Sequence, residues 1–179
     1  MRLSLSGPIG SGKTTLSERL VKEQGYVRGS FAGVLKEELA RILEIDPDEF
    51  VTNKEEWRWA LQAWGAMRRQ VNSDYWIDAV RYWLLNQGED VVFDDTRFPN
   101  ELEMLGTEEH FYLIKLDCPK EDSIDYQIQK GKTLEEATAS ANDVTERALD
   151  NYTVWDAVIP APRSRSIDDI YSDIKLLIQ

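Results

Sequence analysis

The sequence holds one cysteine, Cys118, and one histidine, His110. A disulfide within the chain is therefore excluded, and a zinc site of cysteine and histidine is close to excluded. Imidazole acid–base chemistry would rest on His110 alone, in the loop-like "GTEEH", where a surface histidine is the plainer expectation. Such sparing cysteine use points to a reducing cytoplasm. The Asn151-Tyr152-Thr153 sequon then carries no meaning, because glycosylation requires secretion. No apolar run reaches the roughly 18 residues of a membrane span, so no membrane partner is expected. The opening "MRLSLSGPIG" alternates over a strand length before its glycines and does not read as a secretory signal. Basic residues are also scarce: 21 Lys and Arg against 33 Asp and Glu give a net charge of −12. Duplex-binding faces depend on clustered cations, so stable nucleic-acid binding is not expected, whereas a small anionic substrate needs only a few.

What is present fits a soluble globular chain, 42% hydrophobic and 30% charged, of a length suited to one domain. No internal repeat or low-complexity linker breaks it. Short β-rich runs alternate with longer helical patterns, which predicts an α/β fold with a five-stranded, mainly parallel sheet flanked by helices. The predicted strands are Arg2–Ser6, Tyr26–Arg28, Val91–Asp94, Phe111–Asp117 and Trp155–Ile159. The predicted helices are Lys13–Gln24, Ala32–Leu43, Lys54–Val71, Tyr75–Asn86, a short turn near Asn100–Leu105, Leu134–Ser140 and Ile167–Ile178. Residues 119–143 are polar with little to bury, and read as a mobile excursion from the sheet.

The stretch "GPIGSGKT", Gly7 to Thr14, follows a strand and opens a helix. Backbone N–H groups from Gly7 through Ile9, Gly10, Ser11 and Gly12 to Thr14 and Thr15 are placed to curl around phosphate oxygens, with the helix dipole behind them. Lys13 reaches the β and γ phosphates of ATP, and Thr14 is the expected Mg2+ ligand. A nucleotide site leaves three classes open: a small-acceptor kinase, an NTP-driven switch or motor, and a nucleotide-gated binding module. No guanine-reading N-K-x-D occurs, and the chain has little room for a motor's partner surfaces. A kinase is the reading that remains in front.

In "VVFDDTRFPNE", Val91 to Glu101, a buried strand runs into Asp94 and Asp95. On an extended backbone the two point to opposite sides, so one faces the metal and the other orients a neighbour or meets the acceptor. Arg97 follows at the carboxyl edge of the sheet, where α/β folds place ligands. In "NKEEWRWALQAWGAMRRQVNSDYW", Trp57, Ala60, Leu61, Trp64 and Val71 form a core stripe. The neighbouring stripe holds Arg58, Gln62, Gly65 and Arg69, with Arg68 one residue off it. A mid-helix glycine costs about 1 kcal/mol relative to alanine, so Gly65 marks a close approach. An amide beside it with guanidiniums at either end suits a planar base carrying a phosphate.

Taken in order, "GPIGSGKTT", "LQAWGAMRR…DYW", "FDDTRFPNE" and "DVTERALDNYTVWDAVI" resemble the phage-type deoxynucleoside monophosphate kinases, a P-loop branch of the nucleoside monophosphate kinase fold. The resemblance runs from Arg2 to the last helix and is most specific at Asp95, Arg97, Phe98, Asn100 and Glu101. It implies a core of residues 1–30, 88–118 and 144–179, a helical acceptor-binding region of about 31–87 and a lid of about 119–143. It implies ATP as donor, a deoxynucleoside 5′-monophosphate as acceptor, Mg2+, and a cytoplasmic setting in a bacteriophage host; a homodimer stays open. Arg97 with Arg68 or Arg69 would hold the acceptor phosphate, and Trp76, Asp94, Glu101 and Glu146 would join the substrate site. Two departures stand out. The lid has no arginine, only Lys120, Lys130 and Lys132, so Arg147 would neutralise the transferring group. The asparagine expected after the last strand is missing from "IPAPRSRS", so Arg163 or Arg165 would cover the adenine.

Such an acceptor is an anion near neutral pH, so transfer needs positioning and charge neutralisation but no general base. The runner-up is a hydroxyl acceptor, such as a hydroxymethylated pyrimidine, for which the Asp94–Asp95 pair would supply a base.

Overall fold

Leucine and serine alternate along β1 (Arg2–Ser6), and that alternation decides which face of the sheet is dry. Leu3 and Leu5 are fully buried on one face, with Leu16 and Leu20 of α1 (Lys13–Gln24) and Ile170, Tyr171 and Ile174 of α10 (Ile167–Leu177). Ser4 and Ser6 point to the other face and are also buried. There the Ser4 hydroxyl lies 3.1 Å from that of Thr96. One face of β1 is thus aliphatic, and on the other its serines lie among apolar neighbours, Ser4 in register with the buried Phe93 and Leu113.

The structure is a computed structural model describing residues 1–88 and 90–178. The chain divides into two compact units, a core unit of Met1–Arg28 and Glu89–Gln179 and a helical unit of Gly29–Gly88. The sheet is five-stranded and parallel, in the order β2-β3-β1-β4-β5. Besides β1 it comprises β2 (Val27–Gly29), β3 (Val91–Phe93), β4 (Tyr112–Asp117) and β5 (Ala157–Pro160). The two Val and the Phe of β3 are wholly buried, as expected of a strand covered on both faces. The fifth strand starts two residues later than its aromatic start suggested. Trp155 instead gives its indole N–H to Tyr152 O at 2.9 Å, in the turn before the strand.

In the core unit, α6 (Pro99–Glu103) runs straight into a π-helical turn, Met104–Glu108. Residues 119–143 hold the expected helix at Leu134 and one more before it. They form α7 (Lys120–Gln129) and α8 (Leu134–Ala141), followed by α9 (Val144–Arg147). The hairpin buries Ser123, Gln127 and Ala137. Small and polar side chains do the packing, so the apolar periodicity that marks a helix is absent. The local signal lies in capping: Thr133 and Glu136 satisfy each other's backbone N–H groups at the start of α8.

The helical unit contains α2 (Phe31–Leu43), α3 (Glu49–Thr52), α4 (Lys54–Val71) and α5 (Tyr75–Leu84). Ser30 caps α2 by accepting from the Gly33 N–H at 2.8 Å. Trp57, Ala60, Leu61 and Trp64 pack on Leu39, Ala40 and Phe50, as their spacing predicts. Val71 does not belong to that stripe: it is the last residue of α4 and stands 86% exposed.

Arg68 is bound up inside this unit. Its guanidinium donates to Glu38 Oε1 from Nε at 2.9 Å and from Nη2 at 2.6 Å. It also lies over the rings of Trp64 and Tyr75, while the Tyr75 hydroxyl donates to Glu38 Oε2 at 2.6 Å. An Arg68→Met substitution is expected to cost about 1–3 kcal/mol of stability, because it strands a mostly buried carboxylate. With Arg68 itself 31% exposed, the lower end is expected. Urea unfolding of the variant beside the parent checks this, and an unchanged midpoint would contradict it.

Candidate active site

Backbone geometry at the carboxyl end of β1 sets the first wall. Gly10 and Gly12 have φ of 84° and 91°, a region that favours glycine. Their neighbours leave no room for a side chain either. A Cβ at Gly10 would lie 2.7 Å from the Tyr126 ring of α7, and one at Gly12 would lie 2.6 Å from Ile167 Cδ1. The loop therefore presents its own N–H groups at the start of α1.

Lys13 reaches back across the loop, donating to Gly7 O at 2.6 Å and Pro8 O at 2.8 Å. Burial pulls its pKa from 10.5 down to about 8, with Arg97 adding to the fall and Glu146 and Asp94 opposing it. Below about pH 8 the amine carries its charge, and above it the free protein loses that charge. A bound polyphosphate would restore the proton. Affinity for tripolyphosphate is therefore expected to fall as pH rises through about 8, with proton uptake on binding above that pH. Calorimetry in buffers of different ionisation enthalpy measures it; pH-independent affinity between 7 and about 9.5 would contradict the assignment.

The second wall comes from the exit of β3. Asp94 is nearly inaccessible, and both its oxygens accept from Arg28, at 3.0 Å and 2.6 Å. Asp95, Thr96 and Arg97 follow. Glu101 turns inward, 4% exposed, and accepts from the Arg97 and Phe98 N–H groups at 2.8 Å and 3.1 Å. It fixes the loop that carries Arg97. The Arg97 guanidinium pairs with Glu146 on α9, whose other oxygen accepts the Ile9 N–H at 3.0 Å.

These walls enclose a cavity of about 460 Å³ within the core unit. Its lining brings together Gly7, Lys13, Asp94, Asp95, Arg97, Glu146 and Arg147 from the sequence expectations. It adds Ser6, Lys115, Lys120, Cys118 and Trp155, which those expectations did not contain. Arg147 pairs with Asp150 at 3.1 Å, and Lys120 donates to Asn142 at 2.6 Å. Burial raises the Cys118 thiol pKa above its ordinary value, so it is held as the thiol.

A second concavity, about 290 Å³, lies wholly in the helical unit, lined by Ala32, Leu35, Lys36, Leu61, Gln62, Gly65, Ala66 and Arg69. Gly65 is there for close approach: a Cβ would stand 2.9 Å from Leu35 Cδ1. The Trp76 indole N–H donates to Gly65 O at 3.2 Å.

Several expected site residues lie elsewhere. Trp76 is a core residue, 2% exposed, that braces Gly65 from behind. Arg58 is outside the groove lining, a full turn before Gln62. Arg68 is taken up with Glu38, which leaves Arg69 as the arginine at the groove. Arg163 holds α7, through Asp122 at 2.8 Å and Gln129 at 2.5 Å, and lines neither concavity. Arg165 is bound to Pro160 O and Asp173. The strand that carries Arg28 was expected, but its pairing with Asp94, 66 residues away, leaves no local trace in "YVRGS". Lys115 was legible in principle, as the only cation inside the otherwise apolar "YLIKL".

For Mg2+, the chain offers hard oxygen donors that fit: the Thr14 hydroxyl, exposed on the first turn of α1, and Asp95 on the cavity wall. Asp94 already gives both oxygens to Arg28. Among the described residues no cluster of three or more His, Cys, Asp or Glu forms a metal cage. Few protein ligands is what magnesium on phosphates requires.

A family model described as an AAA domain matches residues 4–154. A search of curated proteins finds no sequence match. Among solved structures, shikimate kinase from Bacteroides thetaiotaomicron is similar, with a TM-score of 0.53 and 18% identity over 99% of this chain and 95% of that one. Shikimate kinase from Aquifex aeolicus gives 0.53 and 16% over 99% and 96%. TT1252 from Thermus thermophilus gives 0.57 and 17% over 99% and 96%. At these identities the likeness shows the fold, that of the P-loop kinases. Among the described residues no helix is long and apolar enough to cross a membrane.

Proposed function

The chain belongs to the AAA-domain family, and we propose that it transfers the γ-phosphoryl group of ATP to the 5′-phosphate of a deoxynucleoside monophosphate. One observation carries this reading. Five cations, Lys13, Arg97, Lys115, Lys120 and Arg147, line a single cavity beside the Gly7–Thr14 loop, in a protein whose net charge is −12. Five carboxylates, Asp94, Asp95, Asp117, Glu146 and Asp150, share that lining, so the cavity is balanced where the protein as a whole is acidic, which suits a reaction between anions.

The loop amides and Lys13 hold the donor phosphates. Arg97, its backbone fixed by Glu101, draws in the acceptor phosphate, and Arg147 or Lys120 screens the group in flight. Within the helical unit, the groove beside Gly65, lined by Leu35, Leu61, Gln62 and Arg69, suits a planar base. Thr14 and Asp95 would hold Mg2+, which would neutralise phosphate charge when bound. Asp94 serves instead as Arg28's partner. No imidazole is needed, in keeping with a single histidine at position 110.

Asp95 on the cavity wall favours one second reading, a hydroxyl acceptor deprotonated by that carboxylate. ADP release from ATP across a panel of deoxynucleoside monophosphates, ribonucleoside monophosphates and nucleosides tests both. Stimulation by a deoxynucleoside monophosphate is expected. Stimulation by nucleosides alone would favour the second reading, and none by any acceptor would overturn both.

A further inference from the structure

Glu146 presents a carboxylate where the proposed reaction needs phosphate oxygens. Its side chain is 7% exposed, and both oxygens are engaged. One accepts the Ile9 N–H of the phosphate loop at 3.0 Å, and the other pairs with the Arg97 guanidinium. A loop N–H and a guanidinium are the two kinds of donor that cradle phosphate. Glu146 also opposes the fall in the Lys13 pKa more than any other charge does. This one carboxylate thus joins two groups assigned to phosphates and, with Asp94, supports the charge of a third.

A carboxylate so placed cannot coexist unchanged with a phosphoryl group at the same donors, since two anions would share one set of N–H groups. It sits on α9, at the return from the hairpin of α7 and α8. We propose that Glu146 is an internal phosphate surrogate, an autoinhibitory contact that closes the phosphate loop and holds Arg97 until a polyphosphate displaces it. This goes beyond the reading above and rests on its assignment of the loop and Arg97 to phosphates. Its consequence is that the chain binds polyphosphate more weakly than its donors allow. Release of Glu146 frees Arg97 and the Ile9 N–H in one step, which couples donor binding to readiness for the acceptor.

The test is calorimetric binding of inorganic tripolyphosphate, which carries no base or sugar, to the full chain and two variants. Glu146→Gln keeps size and an acceptor oxygen for Ile9 but removes the charge. Glu146→Asp keeps the charge but is too short to span both donors. Both are expected to bind tripolyphosphate about tenfold more tightly than the parent, and the Ile9 amide resonance is expected to move in both variants without ligand. The glutamine variant's melting temperature establishes that it folds; if it does not, the aspartate variant decides. Equal or weaker binding by the variants would overturn the surrogate role while leaving the kinase reading intact. No binding by parent or variants would overturn it too, and would take the phosphate assignment of the loop with it. Loss of acceptor stimulation with tightened tripolyphosphate binding would support the surrogate and sink only the choice of acceptor.

Discussion

A Lys13→Met variant is expected to fold and to lose acceptor-dependent ADP release by about 100- to 1,000-fold in kcat, the usual loss when one charged donor leaves a transition state. Methionine matches the lysine stem in length, so the cavity wall keeps its shape. In the empty site the lysine's donors go to Gly7 O, Pro8 O and Ser11 Oγ. Those two carbonyls lose a partner in the variant, yet the site also loses a buried cation that its surroundings disfavour. The two effects oppose, so the melting temperature is expected to shift little. The effect on ATP affinity is expected to be smaller than that on kcat, because the loop N–H groups remain. Turnover within about threefold of the parent would show that Lys13 does not serve the transferring phosphoryl group.

Arg97→Ala carries the second large effect: acceptor KM raised or kcat lowered by more than about tenfold, with ATP binding largely kept. The separation follows from position. Arg97 leaves the sheet at the exit of β3, and it is tied to the phosphate loop through Glu146. Its backbone is held independently, by the Glu101 carboxylate, so truncating the side chain leaves the loop in place. Steady-state kinetics with varied deoxynucleoside monophosphate at saturating ATP measure it. Kinetics equal to the parent's would remove Arg97 from the acceptor.

Much of the frame was legible because it depends on local rules. The leucine–serine alternation gave β1 its two faces, the glycines gave the loop, and α1 and α4 start and stop where their patterns do. What was not legible depends on pairs distant in sequence. The two aspartates at positions 94 and 95 look alike in one dimension. Arg28, 66 residues earlier than Asp94, gives Asp94 a two-pronged hydrogen bond, and that pairing has no trace in the local sequence. Arg68 and Arg69 are adjacent, and only Glu38, 30 residues before Arg68, separates a packed arginine from one at the groove. Of the polar hairpin, α8 was expected but α7 was not, because α7 packs through Ser123 and Gln127, residue types that carry no hydrophobic signal. Glu101 adds a role that its motif did not announce. Its motif drew attention, but its carboxylate is spent on two backbone N–H groups that shape the loop.

The measurement that bears most directly on the account is phosphorus NMR of the protein mixed with ATP, Mg2+ and one deoxynucleoside monophosphate, followed until ATP is consumed. The account expects the acceptor's phosphomonoester signal to be replaced by the two coupled signals of a diphosphate as ADP accumulates. A new phosphomonoester beside an unchanged 5′-phosphate, or ATP left intact, would contradict it.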